Sequence, residues 1–344
     1  MARATIFDVA KLAGVSIKTV SRVVNHEPNV RESTKARVEE AIAELHYRPD
    51  QSARSLASHR SHLIGLVYDD PSAYELPSSG YIIRMQQGAL KVCRSYGAEL
   101  LIHPSDYRSK DIEATLTELC EQARPAGIIL AAPLSNMPKI VRAIAATDTP
   151  FVRLSPGTSN SKQFAIATND REFSAEMTRY LASLGHKRIA FISGNRSHKA
   201  VGKRLLGYKD GLKQSGLEFS EKLVVAGDNS FESGESCART LLELKPRPTA
   251  IFAANDDMAA AAVRVAAQMG IDVPGDLSVA GCDDITLARQ MTPRLTTIRQ
   301  PLTTMAERAA LALVKNSRGN ATVSGTEIVP ATLQIRESTG PAPK

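Results

Sequence analysis

The chain has 344 residues, a hydrophobic fraction of 43% and a formal charge of +7, which predict a globular protein with a proper core and favour a polyanionic partner. No run approaches the roughly 18 uninterrupted apolar residues that span a bilayer, and the polar N-terminus lacks an apolar signal core, so we expect a cytoplasmic protein without a membrane partner. The four cysteines form no CxxC pair, which argues against a disulfide framework and a zinc site, and we predict neither a metal nor a cofactor. The four cysteines are Cys93, Cys120, Cys237 and Cys282.

The N-terminal part of the chain is its most basic part. Residues 1–62 hold ten Lys and Arg against seven Asp and Glu, together with four of the seven histidines. The other 282 residues carry only the remaining surplus of four positive charges. A polyanionic partner is therefore expected at the N-terminus.

Three short helical patterns follow one another from residue 6 to residue 45, without a strand between them. Thr5 can cap the first, with Asp8 three residues later, and Gly14 breaks it; Ser16 and Ser33 can cap the second and the third. Apolar residues recur at helical spacing and predict an all-α three-helix bundle. The side chains expected to face inward are Val9, Leu12, Ala13, Val20, Val23, Val24, Val38, Ala41, Ile42 and Leu45.

The first two helices and their glycine turn, residues 6–24, fit a helix-turn-helix, in which the second helix enters the major groove of double-stranded DNA. Lys18 can donate to guanine O6 or N7, Ile17 can contact a thymine methyl, and Arg22 can reach a second base. The alternative is a small bundle whose basic residues are only solvated. Further DNA contacts, to phosphates or base edges, are assigned to Thr5, Ser16, Thr19, Ser21, Asn25, Asn29 and Tyr47.

A polar segment at residues 49–62 reads as a linker that contains a hidden helix. Asp50 or Ser52 could begin a helix of about two turns, but isolated helices shorter than roughly 12 residues are marginal in water. We therefore expect this helix to form only against a partner.

Strand and helix patterns alternate from Leu63 onward. The first series predicts strands at 63–68, 99–103, 127–132 and 151–154 and helices at 82–94, 112–123 and 138–145. The second predicts strands at 165–168, 188–193, 223–227, 250–254 and 277–282 and helices at 171–183, 204–215, 234–244 and 257–269. Such alternation is typical of α/β winding with parallel sheets, so we expect two similar lobes with a cleft between them. The last two segments, 303–315 and 327–335, can return once to each lobe.

These patterns divide the chain into a DNA-binding head, a hinge, a core and a tail. The head covers 1–48, the hinge helix and linker 49–62, and the ligand-binding and dimerisation core 63–338. Within the core, we assign about 63–163 and 296–321 to the first lobe and about 164–295 and 322–338 to the second. Residues 339–344 are expected to form a flexible tail.

Several stretches resemble the lactose-repressor/galactose-repressor (LacI/GalR) family of transcription regulators. They are DVAKLAGVSIKTVSRVVN, ELHYRPD, ARSLAS, LIGLVY, LGHKRIAFISG, RLLGYKDGL, FAANDDMA, DLSVAGCDD and PRLTTIRQP. They occur in the family's order from residue 5 to about residue 335, essentially the whole chain. The resemblance implies a multidomain protein, with a helix-turn-helix head and a two-lobed α/β core like that of the type I periplasmic binding proteins.

The resemblance also implies a role for the linker. In this family the hinge helices of two subunits pair in the minor groove, and a leucine from each wedges into a central base step. Leu56 matches that leucine, and Arg54 nearby can contact phosphate. The alternative is that Leu56 packs on its own domain. The C-terminus has no leucine heptads, which predicts a homodimer rather than a tetramer.

The resemblance places a small-molecule site in the cleft. Arg204, Asn255 and Asp283 match family positions that project from the second lobe and could bind vicinal hydroxyls. From the first lobe, the loop that begins at Tyr68 should line the same cleft. Its candidate ligand-binding residues are Tyr68, Asp69 and Tyr81.

Arg153 departs from the family pattern, because several sugar-binding members carry an acidic residue at this position. It could favour an anionic ligand, or it could pair with Asp69 or Asp70. In the first case the effector would not be a simple neutral sugar; in the second, a neutral sugar would remain compatible with the site.

The acidic residues after the strands also have a structural interpretation. We expect Asp256 or Asp257 to be the N-cap of the following helix, whereas Asn255 and Asp283 lie at carboxyl ends of strands, where open α/β sheets bind ligands. Neighbouring residues on a strand point in opposite directions, so Asp283 and Asp284 do not suggest a catalytic pair. The sequence has no GxGxxG after a strand, no GxxxxGK[ST] and no GxSxG, and we assign no catalytic residue.

The most direct interpretation is a repressor that binds a palindromic operator at the nucleoid as a homodimer. It would respond to a sugar or sugar derivative, and the simplest role of that effector is that of an inducer. A corepressor-dependent regulator of non-sugar metabolism is an alternative. A solute-binding protein would share the two-lobed fold but needs an export signal and no DNA-binding head. An α/β enzyme that uses the cleft would need a nucleophile or base that these motifs do not supply.

Overall fold

The computed structural model describes residues 4–24, 30–47, 62–70, 72, 79–157, 163–317 and 324–344. Internal contacts divide the chain into one unit of residues 1–62 and a second of residues 63–344. Of the predicted hinge, only His62 is among the described residues.

The N-terminal unit contains three helices, α1 (Ile6–Ala13), α2 (Ile17–Val24) and α3 (Glu32–Glu44). Their shared core is centred on Val9, Val20 and Val38, each fully buried. The predicted all-α bundle is therefore confirmed for the described residues of the head.

The starts of α1 and α2 are capped as the sequence predicted. The backbone N–H and the hydroxyl of Thr5 both donate to the Asp8 carboxylate, at 2.8 and 2.7 Å, and Ser16 Oγ accepts the Thr19 N–H at 3.1 Å. The third cap was predicted wrongly, because α3 begins at Glu32, one residue before Ser33.

One inward-facing position in α1 was also predicted wrongly. Leu12 is 46% exposed, whereas Ala10 is buried together with Val9 and Ala13. The short helix packs with its 9-10-13 face on the bundle, which leaves Leu12 on the outside.

The second unit contains two six-stranded sheets, each belonging to one lobe. The first has the order β11-β5-β4-β3-β1-β2 and the second the order β12-β10-β9-β8-β6-β7. All described pairs are parallel except β10 with β12. The strands of the first sheet are β1 (Leu63–Asp69), β2 (Glu99–Ser105), β3 (Gly127–Leu130), β4 (Phe151–Leu154), β5 (Ala165–Ala167) and β11 (Thr326–Ile328). Those of the second are β6 (Ile189–Ser193), β7 (Val224–Ala226), β8 (Ala250–Ala253), β9 (Ser278–Cys282), β10 (Thr296–Arg299) and β12 (Thr332–Gln334).

Helices pack on the faces of each sheet and bury its apolar strands, because a parallel sheet is apolar on both faces and must be covered on both. Those on the first sheet are α4 (Gly80–Tyr96), α5 (Ile112–Ala123), α6 (Pro138–Ala145) and α12 (Leu302–Ser317). Those of the second lobe are α7 (Asp170–Ser183), α8 (Lys199–Gln214), α9 (Phe231–Leu242), α10 (Asp256–Gln268) and α11 (Thr286–Gln290). Short 3-10 turns lie at Leu134–Asn136 and Glu221–Leu223. Among the described helices, none is long and apolar enough to cross a membrane.

Three strands belong to the lobe opposite to the one we assigned. The strands β5 and β11 extend the first sheet, and β10 lies in the second. The chain therefore crosses between the lobes three times, after β5, after β10 and after β11. Strands of three or four residues carry too little periodicity to reveal which sheet they join.

Two helix pairs approach each other closely at glycines. A Cβ on Gly88 of α4 would lie 2.2 Å from the carbonyl oxygen of Thr303, and one on Gly207 of α8 would lie 2.2 Å from that of Arg171. Because both neighbours are backbone atoms, only glycine permits this spacing at these two positions.

The C-terminal residues 339–344 do not form the free tail that we predicted. The Gly340 carbonyl oxygen lies 3.1 Å from His186 Nε2, and the Ala342 N–H donates to the Leu184 carbonyl at 2.8 Å. The Pro- and Gly-containing sequence suggested flexibility, but its backbone groups bind the turn after α7.

Candidate DNA-reading helix and interlobe cleft

The start of α2 forms an exposed tip, and the inner face of the same helix is apolar and buried. Ser16, Ile17 and Lys18 are all exposed, whereas Val20 and Val23 on the inner face are buried. The first turn contains no acidic side chain, so the positive end of the helix dipole is not neutralised there. The tip can therefore contact an electronegative surface while the inner face of α2 stays packed on the bundle.

The other predicted DNA contacts differ in how available their polar atoms are. The Thr5 hydroxyl donates to Asp8, and the Ser16 and Thr19 hydroxyls lie 2.9 Å apart, so each would have to exchange a partner to bind phosphate. Arg22 is exposed, while the side chains of Ser21 and Tyr47 are half-buried. Four predicted contacts lie outside the described residues: Asn25, Asn29, Arg54 and Leu56.

In the core, Tyr81 is a predicted first-lobe residue that interacts electrostatically with predicted residues of the second lobe. It lies near the start of α4, and its hydroxyl bonds to Ser155 after β4. Burial, and secondarily the charge of Asp283, raise the pKa of Tyr81 to about 12, while Arg204 opposes this shift. The structure thus brings Tyr81, Arg204 and Asp283 together at the cleft.

Tyr68 and Asp69 are less available than we predicted. Tyr68 is 2% exposed, packs in the first-lobe core, and accepts a hydrogen bond from Gln86 Nε2 at 3.3 Å. Asp69 accepts the Tyr107 N–H at 3.1 Å, and burial raises the pKa of its carboxyl. The structure therefore assigns Tyr68 to the core, although its position in the sequence suggested the cleft.

Arg204 is almost wholly buried and held by fixed acceptors. Its Nε donates to Asp170 Oδ1 at 2.9 Å, its Nη1 donates to the Ala254 carbonyl at 2.6 Å, and its guanidinium lies 5.7 Å from the Phe173 ring centre. These contacts fix the plane of the guanidinium. A rigid planar donor is suited to binding a ligand oxygen in one orientation.

Asp283 and Asp284 follow β9 with positive φ angles of 131° and 56°. The Asp283 carboxylate accepts from Gln300, and burial raises the pKa of Asp283 well above its usual range despite the opposing charge of Arg204. Asp284 instead binds three arginines outside the predicted ligand set. The two neighbouring carboxylates thus have separate partners, but strand alternation is not the reason, because both residues follow the strand and have positive φ angles.

Asn255 is the N-cap of α10, a role that we had assigned to Asp256 or Asp257. Its Oδ1 accepts the Met258 N–H at 3.1 Å, and its Nδ2 donates to the Asn229 carbonyl at 2.8 Å. Asp256 is fully buried and accepts the Ile285 N–H at 2.9 Å. The prediction was wrong because the helix begins one residue earlier than the acidic pair suggested.

Arg153 forms neither of the ion pairs we considered. It is 6% exposed, and its Nε and Nη2 donate to the Ser135 carbonyl at 2.9 and 2.6 Å. None of the ion pairs among the described residues includes Arg153, so neither Asp69 nor Asp70 pairs with it.

The lobes also touch through residues that sequence reasoning missed. Asn195 Nδ2 donates to the Tyr107 hydroxyl at 3.1 Å, and Asn136 Nδ2 lies 3.5 Å from the Ser197 carbonyl. These side chains belong to ordinary polar loops. The only sequence signal was their position after the carboxyl ends of strands.

Comparisons with known proteins match two separate parts of the chain to two family models. Residues 5–50 match bacterial regulatory proteins of the lacI family, and residues 178–339 match a periplasmic binding protein-like domain. The chain is 36% identical to the HTH-type transcriptional regulator GalR of Escherichia coli (strain K12) over 91% of this chain and 90% of that protein. It is 32% identical to catabolite control protein A of Priestia megaterium, over 97% and 99%, and 35% identical to the ribose operon repressor of Escherichia coli (strain K12), over 90% and 92%.

Solved structures give the same result. The lac repressor dimer bound to operator and the anti-inducer ONPF has a TM-score of 0.80 and 29% identity, over 98% of this chain and 100% of that one. The complex of the transcriptional regulator CelR with cellobiose has a TM-score of 0.75 and 30% identity, over the same shares. By their names, these relatives are transcriptional regulators, a catabolite control protein and repressors. Similarity of this extent, on a helix-turn-helix head and a two-lobed core, means that the chain belongs to the LacI/GalR family of bacterial DNA-binding transcription regulators.

Proposed function

We propose that this regulator is a repressor that binds a palindromic operator as a homodimer and is released from it by a sugar or sugar derivative in the interlobe cleft. The observation that carries the proposal is the exposed, acid-free start of α2, which leaves Ile17 and Lys18 on a rigid base. Such a tip is suited to the major groove, where a lysine can donate to guanine and an apolar side chain can meet a thymine methyl.

A dimer is supported by an apolar strip on the outer surface of the first lobe. Ile83 and Leu90 lie two turns apart on α4 and are 41% and 36% exposed, and Ile102 on the neighbouring edge strand β2 is 38% exposed. An isologous contact through this strip would cover the apolar side chains in both subunits. The lac repressor structure named above is that of a dimer bound to operator.

An effector in the cleft is supported by the polar groups that meet there. Tyr81 from the first lobe faces Arg204 and Asp283 from the second, so one ligand can contact both lobes. A ligand that binds one lobe arrangement more tightly shifts the equilibrium toward it. If that arrangement is incompatible with operator binding, the ligand lowers operator affinity by the coupling free energy.

The first test is selection of duplexes from a random library by the full chain, followed by affinity measurements on the selected sequence. We expect a palindrome, and we expect Lys18→Ala to weaken binding about 10- to 100-fold while reducing the preference at one base pair per half-site. Lys222→Ala removes another exposed lysine, in the second lobe, and serves as the matched control.

Two results would contradict the proposal. One is selection of no common sequence. The other is equal weakening by Lys18→Ala on selected and random duplexes, because a lysine that only neutralises phosphate affects both alike.

A further inference from the structure

Arg153 is a buried cation without a buried anion. Its side chain makes two hydrogen bonds, both to the carbonyl oxygen of Ser135, while a guanidinium offers five N–H donors. Burying a charge is costly unless it is paired, and at 6% exposure Arg153 has little water to compensate. Burial alone accounts for the lowered pKa of Arg153, with no carboxylate opposing it.

Three carboxylates of the described first lobe have partners other than Arg153. Asp69 accepts the Tyr107 backbone, and Asp70 accepts the Ser72 hydroxyl at 3.2 Å. Glu113 pairs with Lys139 at 3.2 Å near the surface. The described fold therefore keeps a positive charge at this position without supplying its counter-charge.

Residues that neighbour Arg153 and its acceptor in sequence contact the second lobe. Arg153 is near the carboxyl end of β4, and the residue after its acceptor Ser135 is Asn136, which contacts Ser197 of the second lobe and accepts the Gly157 N–H at 2.5 Å. The Lys199 stem packs against Gly157, and α8 begins at Lys199. A lysine and the positive end of a 16-residue helix thus approach the same region from the other lobe.

The remaining charges of the cleft do not balance this excess. Arg204 is neutralised by Asp170 at 2.9 Å. The Asp283 carboxylate accepts from Gln300, and none of the described ion pairs joins it to Arg153. The unmatched charge lies on the side of Arg153.

We propose that the effector is an anionic sugar derivative whose phosphate or carboxylate binds Arg153 while its hydroxyls face Arg204 and Asp283. This inference rests on the proposed role of the cleft as the effector site. The acid group would receive charge-assisted hydrogen bonds from a guanidinium whose position is already fixed by Ser135.

Isothermal titration of the full chain tests this directly. The probes are glucose, glucose 6-phosphate, gluconate, galactose, galactose 1-phosphate, galacturonate and inorganic phosphate. We expect at least one acidic sugar to bind more tightly than its neutral parent. Arg153→Gln should weaken that binding about 10- to 100-fold, and Arg153→Lys should weaken it less, because the charge remains but the fork of donors is lost. Preference between the phosphate and carboxylate members of the panel identifies the acid group.

Two variants keep the test decisive. If Arg153→Gln fails to fold, as judged by its melting temperature and operator binding, Arg153→Lys alone must lower affinity for the acidic sugar and not for its parent. Tightest binding of a neutral sugar, unchanged by Arg153→Gln but lost in Asp283→Asn, would overturn the inference and leave the effector site of the proposed function in place. Failure of every probe to bind would overturn the inference, and loss of operator binding by the unmodified chain would separately refute the proposed function.

Discussion

The substitution Asp284→Asn removes the centre of a charge cluster in the second lobe. The Asp284 side chain is fully buried and accepts hydrogen bonds from Arg289 and Arg299 at 2.6 Å and from Arg336 at 2.5 Å. The arginine side chains are 47%, 44% and 14% exposed, respectively. An asparagine would leave them without their common anion.

The expected cost follows from the pKa of Asp284. Burial alone would raise this pKa, but the hydrogen bonds from the arginines lower it from 3.8 to about 2. A fall of this size corresponds to about 2.5 kcal/mol of stability at neutral pH. Breaking a buried ion pair typically costs about 3–5 kcal/mol, and partial solvation of two arginines reduces this. We expect about 3 kcal/mol, which is a fall in Tm of roughly 6 to 12 °C for a unit of this size.

The assay is thermal unfolding of the full chain and of Asp284→Asn across pH. Because the folded pKa is depressed, the stabilisation is complete above the unfolded pKa near 4 and is lost as pH falls toward 2. The difference between the two proteins should therefore be constant at neutral pH and shrink in acid. Glu337→Gln, which breaks the more exposed pair with Arg294, is the control and should have a much smaller effect. If Asp284→Asn lowers Tm by less than about 2 °C, or if the difference in Tm persists at low pH, Asp284 does not stabilise the fold through its charge.

Three further predictions concern packing, capping and lobe contact. Gly207→Ala should lower Tm, because its Cβ would strike the backbone of α7, whereas Gly202→Ala in the same helix meets nothing within 4 Å and should leave Tm unchanged or raised. Asn255→Ala should cost about 1–2 kcal/mol in unfolding experiments and Asn255→Asp less, since only the latter keeps the cap; equal losses would show that capping is not its role. Tyr107→Phe removes the acceptor of Asn195 between the lobes and should raise the radius of gyration measured by X-ray scattering; an unchanged radius would refute this.

The head was predictable from sequence because its signals are local. A Ser or Thr cap, a glycine turn and apolar residues at helical spacing act within one or two turns, and they located α1 and α2. The alternation of strands and helices likewise predicted two parallel sheets. What failed was the assignment of β5, β10 and β11 to sheets, since pairing of short strands depends on distant partners.

The cleft was predictable only in part. Arg204 and Asp283 meet Tyr81 as expected, but the acceptors that fix the arginine come from other elements. The three arginines at Asp284 lie 5, 15 and 52 residues away in sequence. No local pattern joins such residues, so only the tertiary fold reveals the cluster.

We propose that Lys18, at the start of α2, reads base edges. The most direct measurement is a double-mutant cycle between Lys18→Ala and replacement of each guanine of the selected operator by 7-deazaguanine, which removes the N7 acceptor. We predict a coupling of about 1–3 kcal/mol at one guanine in each half-site and none at the others. Additive effects at every guanine would contradict this role of Lys18, because Lys18 would then contribute charge without reading a base.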